Sequence, residues 1–145
     1  MAMTYKEIQN LAEVELKIDR FNLGEEATRT PNILMRFLDI YRSEKIILHK
    51  MNKKLDELKK DKWEYYSGKA SDEVYNEKPF DIKVLRQDLD LYMNADPELS
   101  DLMYNIQTQK EKIFCLEKIL RGIEQREFSI KNAITMIRFE AGEVT

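Results

Sequence analysis

The sequence is poor in the residues that most small-protein chemistry needs. It has one cysteine, one histidine, four glycines and three prolines in 145 residues. One cysteine excludes an internal disulfide framework and a zinc site built from several cysteines. One histidine leaves little for histidine-based metal binding or triad catalysis. So few glycines and prolines exclude a turn-rich all-β sandwich. No apolar run approaches the roughly 18 residues of a membrane span. The opening residues Met1-Ala2-Met3-Thr4-Tyr5-Lys6-Glu7 lack the apolar stretch of a signal peptide, so the expectation is a soluble intracellular protein. Charge is plentiful instead. Charged residues make up 35% of the chain and apolar ones 43%, with a net charge of −3. That is the composition of amphipathic helices with wide solvated faces, in a chain long enough for one ordinary domain.

The pattern predicts an all-α protein. Thr4-Tyr5-Lys6-Glu7 has the form of a capping box opening a short helix. Val14, Leu16 and Ile18 then alternate, which allows a short strand or extended arm over 14–18. A long helix starts either at Thr30-Pro31 or earlier, near Gly24, with a kink at Pro31. Its heptad seam runs through Leu34, Phe37, Tyr41, Glu44, Leu48, Met51, Leu55, Leu58, Lys62 and Tyr65, and Gly68 stops it. Residues 70–81 read as loop and 82–94 as a short helix. Asp96-Pro97-Glu98 is a strong start, with Asp96 as N-cap and Pro97 at the first helical position. From there a second seam runs Leu99, Leu102, Ile106, Gln109, Ile113, Leu116, Leu120, Ile123, Glu127, Ile130, Ile134, Ile137 and Ala141, closed by Gly142. It is either one very long helix or two broken near Gly122 or Ser129. The expected regions are 1–69, a linker with a short helix at 70–96, and C-terminal helices at 97–145, within one domain overall. A helix of about 30 residues is about 45 Å long. Two such seams in a small chain seldom cover each other fully, which predicts self-association as a helical bundle or ring.

The net charge conceals segregation. Residues 1–41 carry a net −2, residues 42–69 a net +4 and residues 70–145 a net −5. The positive block ends in Lys59-Lys60-Asp61-Lys62-Trp63-Glu64-Tyr65-Tyr66-Ser67-Gly68-Lys69. Lysines attract phosphates and release counterions. Aromatic rings offer stacking faces to unpaired bases, each worth roughly 1–3 kcal/mol. Glycine permits close backbone approach. The mixture suits single strands better than duplex, whose bases are already stacked. The competing reading is structural: a solvated lysine face, with Trp63, Tyr65 and Tyr66 sealing a helix end.

The stretch Lys60 to Lys69 resembles the K-x-R/K-x-acidic-Y-Y-S-G-K/R segment of the UvsY recombination mediators of tailed phages. The run from Arg126 to Gly142 (R-E-F-S-I-K-N-A-I-T-M-I-R-F-E-A-G) is similar to their R-G-F-A-I-K-x-I-x-x-M-R-x-F-E-A-G ending. The two motifs lie in the family's order at about its spacing, and the resemblance extends from about Leu23 onward. It implies a homo-oligomeric ring, a hexamer or heptamer, that binds single-stranded DNA in phage recombination and repair. Such a ring helps load a UvsX-like, RecA-like recombinase onto DNA coated with the phage single-strand-binding protein, in the cytoplasm of the infected host. By the resemblance the DNA-binding residues would be Lys60, Lys62, Tyr65, Tyr66, Ser67, Gly68 and Lys69, and the lysine–aromatic pattern itself adds Lys59 and Trp63. The self-association residues would be Leu102, Ile106, Ile113, Leu116, Leu120, Ile123, Ile130, Ile134 and Ile137. Asp61 between the basic pair and Trp63 in place of an aliphatic residue depart from the family pattern. A coiled-coil adaptor without nucleic-acid binding is the alternative.

Other chemistry has less support. Gly68-Lys69-Ala70 lacks the upstream glycine and the hydroxyl of a phosphate-binding P-loop. His49 reads as a surface or interface residue and Cys115 as a buried, inert thiol. Asp88 and Asp90 have no nucleophile or ligand cluster near them in sequence. The expectation is a protein with no cofactor and no catalytic activity.

Overall fold

A computed structural model describes residues 2–143. Five α-helices follow in order: α1 Tyr5–Glu15, α2 Leu23–Tyr66, α3 Asp72–Glu77, α4 Leu89–Ala95 and α5 Pro97–Glu140. A 3₁₀ turn at Arg86–Asp88 leads into α4. The described residues contain no strand. The chain forms two compact units, residues 1–45 with 111–145 and residues 46–110. The helices α2 and α5, of 44 residues each, contribute to both.

Local signals set four of the helix ends. The Thr4 hydroxyl accepts from the Glu7 N–H at 3.1 Å, and the Glu7 carboxylate accepts from the Thr4 N–H at 2.8 Å. The carboxylate of Asp96 caps α5 by accepting from the Leu99 N–H at 3.0 Å. Both long helices end on the same device. The Lys69 N–H donates to the Glu64 carbonyl at 2.8 Å, and the Gly68 N–H to the Tyr65 carbonyl. Likewise the Glu143 N–H donates to Arg138 and the Gly142 N–H to Phe139. This is a Schellman ending, which needs a left-handed residue. Gly68 and Gly142 supply it, with φ of 80° and 86°.

In the first unit, Ile8, Ala12, Ile33, Phe37, Leu116 and Ile123 form the core. Burying a side chain the size of Phe37 contributes about 2–3 kcal/mol. Lys112 Nζ reaches Glu44 at 3.2 Å and the Met3 carbonyl at 2.7 Å. Arg126 reaches Glu26 and Thr30. Residue numbers rise along α2 as they fall along α5, so these halves pack antiparallel. The Arg126 guanidinium is buried: it donates to the Glu26 carboxylate at 2.9 Å, the Glu26 carbonyl at 2.6 Å and the Thr30 hydroxyl at 2.6 Å.

Several expectations are corrected here, and two open alternatives are decided. Val14 and Glu15 belong to α1, Leu16 is its C-cap and no strand occupies 14–18. A lone extended segment has no ladder partner for its backbone groups, whereas continuing the helix satisfies them. The long helix starts at Leu23, so Pro31 lies inside it. Thr30, the cap of the alternative start, is buried and receives Arg126 instead. α5 runs unbroken past Gly122 and Ser129, whose hydroxyl simply bonds the Gln125 carbonyl. The seam passes through buried Arg126, and Glu127 is exposed. The loop expected at 70–81 contains α3.

The predicted association seam is largely internal. Ile106, Ile113, Leu116, Ile123 and Ile130 are buried, and Leu102 and Leu120 are half-buried. A buried side chain offers no area to a second copy. Ile134 and Ile137 alone of that group are exposed, and Phe128, Met136 and Phe139 are exposed with them.

Candidate nucleic-acid interface

The lysine–aromatic block lies in the second unit, over the last turns of α2 and the turn beyond. Helical phase splits it. Lys62 and Tyr65 are seam positions, so they face the unit's own residues; Lys60 falls on the opposite side, and Lys59 and Trp63 flank the seam and are exposed.

Lys62 is held inside the unit. Its Nζ lies 3.2 Å from Asp96 and 3.0 Å from Glu98. Burial acts to lower its pKa, but the bonds to Glu98 and Asp96 outweigh burial and raise it. Asp96 shows the mirror image. Burial pushes its pKa up, and the Tyr66 hydroxyl, the Leu99 N–H and Lys62 bring it below the usual carboxylate value. The Tyr66 hydroxyl donates to Asp96 at 2.6 Å. Burial and that carboxylate raise the Tyr66 pKa far above the phenol value.

The two tyrosines seal the helix end. Tyr66 meets Tyr65 and Phe80 edge-on, with ring centroids 5.1 and 5.2 Å apart. Tyr65 stacks on Tyr75 at 5.6 Å with 24° between planes. Tyr92 closes the cluster against Tyr66 and Phe80. Tyr75, Phe80 and Tyr92 were not legible as members, because each comes from a segment whose position only packing decides. Asp96 was legible as a cap but not as the acceptor for Lys62 and Tyr66.

What remains outward is Lys59, Lys60, Trp63, Gly68 and Lys69. Trp63 is 41% exposed, an unusual state for the largest side chain of all. The ammonium of Lys69 sits 4.5 Å from the centroid of its ring. Lys60 makes one long ion pair, 3.9 Å to Glu64 on the solvent side. Such a pair contributes little and is easily exchanged. Ser67 is half-buried and its hydroxyl donates to the Glu64 carbonyl. Asp61, which would weaken the positive field, lines an open cleft of about 390 Å³ with Glu57, Glu98 and Asp101. In that cleft four carboxylates outnumber one basic lining residue, Lys54, and Lys60 and Trp63 are not among its lining residues.

Elsewhere the chain offers little chemistry. His49 is exposed, and Cys115 is a free, half-buried thiol. Asp88 is half-buried and Asp90 exposed. Among the described residues no group of three or more His, Cys, Asp or Glu side chains could hold a metal ion. Among the described residues no helix is long and apolar enough to cross a membrane.

An all-helical chain presenting lysines around one exposed tryptophan at the end of a long helix defines a candidate nucleic-acid-binding protein of the helical class. The family model described as "Recombination, repair and ssDNA binding protein UvsY" matches residues 12–143. The chain belongs to this UvsY family. Its fold matches crystal structures of the bacteriophage T4 recombination mediator protein UvsY. One has a TM-score of 0.84 at 21% identity, covering 96% of this chain and 98% of that one. A second lattice form gives 0.80 at 20% identity, covering 95% and 99%. No curated protein sequence matches.

Proposed function

We propose that this chain is a single-stranded-DNA-binding recombination mediator that acts as a homo-oligomeric ring. In this reading it loads a RecA-like recombinase onto DNA coated with single-strand-binding protein, in the cytoplasm of a phage-infected host. It works by binding, with no catalytic step. Family membership supports the role, and one observation carries the site: Lys59, Lys60, Trp63 and Lys69 stay outward where their neighbours Lys62, Tyr65 and Tyr66 are spent on packing. A base stacks on the Trp63 indole, and the Lys69 ammonium shifts from the ring to the adjoining phosphate. Lys60 gives up its long pair with Glu64 for the next phosphate. Exposed Phe128, Ile134, Met136, Ile137 and Phe139 support assembly through the last turns of α5. Assembly sets several copies of a modest contact along one strand, so weak sites combine by avidity.

Titration with single-stranded DNA, followed by Trp63 emission at several salt concentrations, tests the site. Strong quenching that weakens with salt is the expected result. Lys60→Ala and Lys69→Ala should each lower the slope of log affinity against log salt by about 0.7, one phosphate contact on a single strand. Lys62→Ala should leave that slope unchanged. Its effect should appear as stability, about 1–3 kcal/mol, because it removes a partner from buried Asp96. A salt slope that responds to Lys62 but not to Lys60 or Lys69 would overturn the assignment.

A further inference from the structure

We infer that Tyr75 is a positioning residue for the DNA-contacting turn, acting through the backbone that carries Lys69. This rests on the single-strand site proposed above. The turn Ser67-Gly68-Lys69 follows the C-terminus of α2, and a helix C-terminus is a poor neighbour for phosphate. Its last carbonyls are unpaired by the helix and carry the negative end of the dipole. No basic residue lies in the last turn of α2. The chain compensates from outside the helix, and Tyr75 on α3 does part of it.

The Tyr75 hydroxyl donates to the Tyr65 carbonyl at 2.8 Å and lies 3.3 Å from the Glu64 carbonyl. As an acceptor it takes the Ala70 N–H at 3.3 Å. One hydroxyl therefore bridges the residues before and after the turn. Its ring lies flat on Tyr65, whose own hydroxyl donates to the Lys78 carbonyl at 3.2 Å. Tyr65 is thus bonded to both Tyr75 and the residue just beyond α3, which fixes α3 against the helix end. The clip has two consequences for DNA. It withdraws carbonyl lone pairs from the surface that a phosphate approaches. It also fixes the direction in which Lys69 leaves the helix, and so the placement of its ammonium 4.5 Å from the Trp63 ring.

Tyr75→Phe removes the hydroxyl and keeps the ring stack. With a labelled oligodeoxythymidylate, affinity at fixed salt should fall about two- to tenfold, the range of one lost hydrogen bond. The salt slope should fall towards that of Lys69→Ala, and Trp63 emission of the free protein should shift as Lys69 loses its fixed place. In a Lys69→Ala background, Tyr75→Phe should have a clearly smaller further effect, because the part of the clip that acts through Lys69 is already lost and only the carbonyl shielding remains. A merely structural tyrosine would lower stability without this non-additivity. Gly68→Ala strains the same turn at φ 80° with no atom near its added Cβ, and it should reproduce the loss even if Tyr75→Phe does not fold. Unchanged affinity and slope in Tyr75→Phe, with Lys60→Ala and Lys69→Ala weakened as expected, would overturn the clip alone. Unchanged binding in the lysine variants as well would overturn the site it serves.

Discussion

Ile137→Asp should dissociate the proposed ring and lower affinity for long single strands by about 10²–10⁴, the scale of avidity lost when linked sites become independent. Ile137 is 45% exposed near the end of α5, with Ile134 one turn before it and Phe139 beyond. An aspartate there costs the free chain little and an apolar contact between copies a great deal. Affinity for a strand short enough to touch one copy should hardly change. Sedimentation and binding to long and short strands would be measured together at one protein concentration. A dissociated variant with full affinity for long DNA removes avidity from the mechanism, and an intact oligomer removes Ile137 from the interface. Ile113→Asp makes the contrast. Ile113 is buried within the chain itself, so its loss should appear as unfolding and not as clean dissociation.

Arg126→Ala should cost about 3–5 kcal/mol of stability. It removes one partner of a buried ion pair and leaves Glu26 charged and desolvated. Glu26 retains the Asp19 N–H at 3.0 Å and Arg29, which places the loss at the lower end of that range. Denaturant unfolding at fixed protein concentration measures it, and a loss under about 0.5 kcal/mol, the size of an ordinary surface substitution, would contradict the role. Replacing both partners together by Met and Leu should recover much of the loss, because no orphaned charge remains. Acid should have a related effect. The Asp19 N–H, opposed by burial and aided by Arg29, holds the Glu26 pKa below its ordinary value of 4.5. A depressed carboxylate stabilises the fold above its unfolded pKa and loses that contribution as pH falls through the folded one. Stability should therefore start to fall as pH drops below about 4.5, and Glu26→Gln should flatten that part of the profile.

The sequence alone determined the elements whose signals are local. The Thr4–Glu7 capping box, the Asp96-Pro97 start, and the glycine endings at 68 and 142 span at most six residues, and each forms as its residues dictate. The segregated lysine–aromatic block was legible for the same reason, because composition along a helix needs no partner to be seen. Only the tertiary structure decided which of those side chains meet solvent. Lys62, Tyr65 and Tyr66 are half-buried against Asp96, Phe80 and Tyr92, and α3 holds its place because Tyr75 finds Tyr65. Glu127 looked like the seam residue until Arg126 found Glu26, 100 residues away. Hydrogen bonds within a turn are written in neighbouring residues. A choice between facing the core, a second copy or a ligand is settled by surfaces that the chain brings together only when it folds.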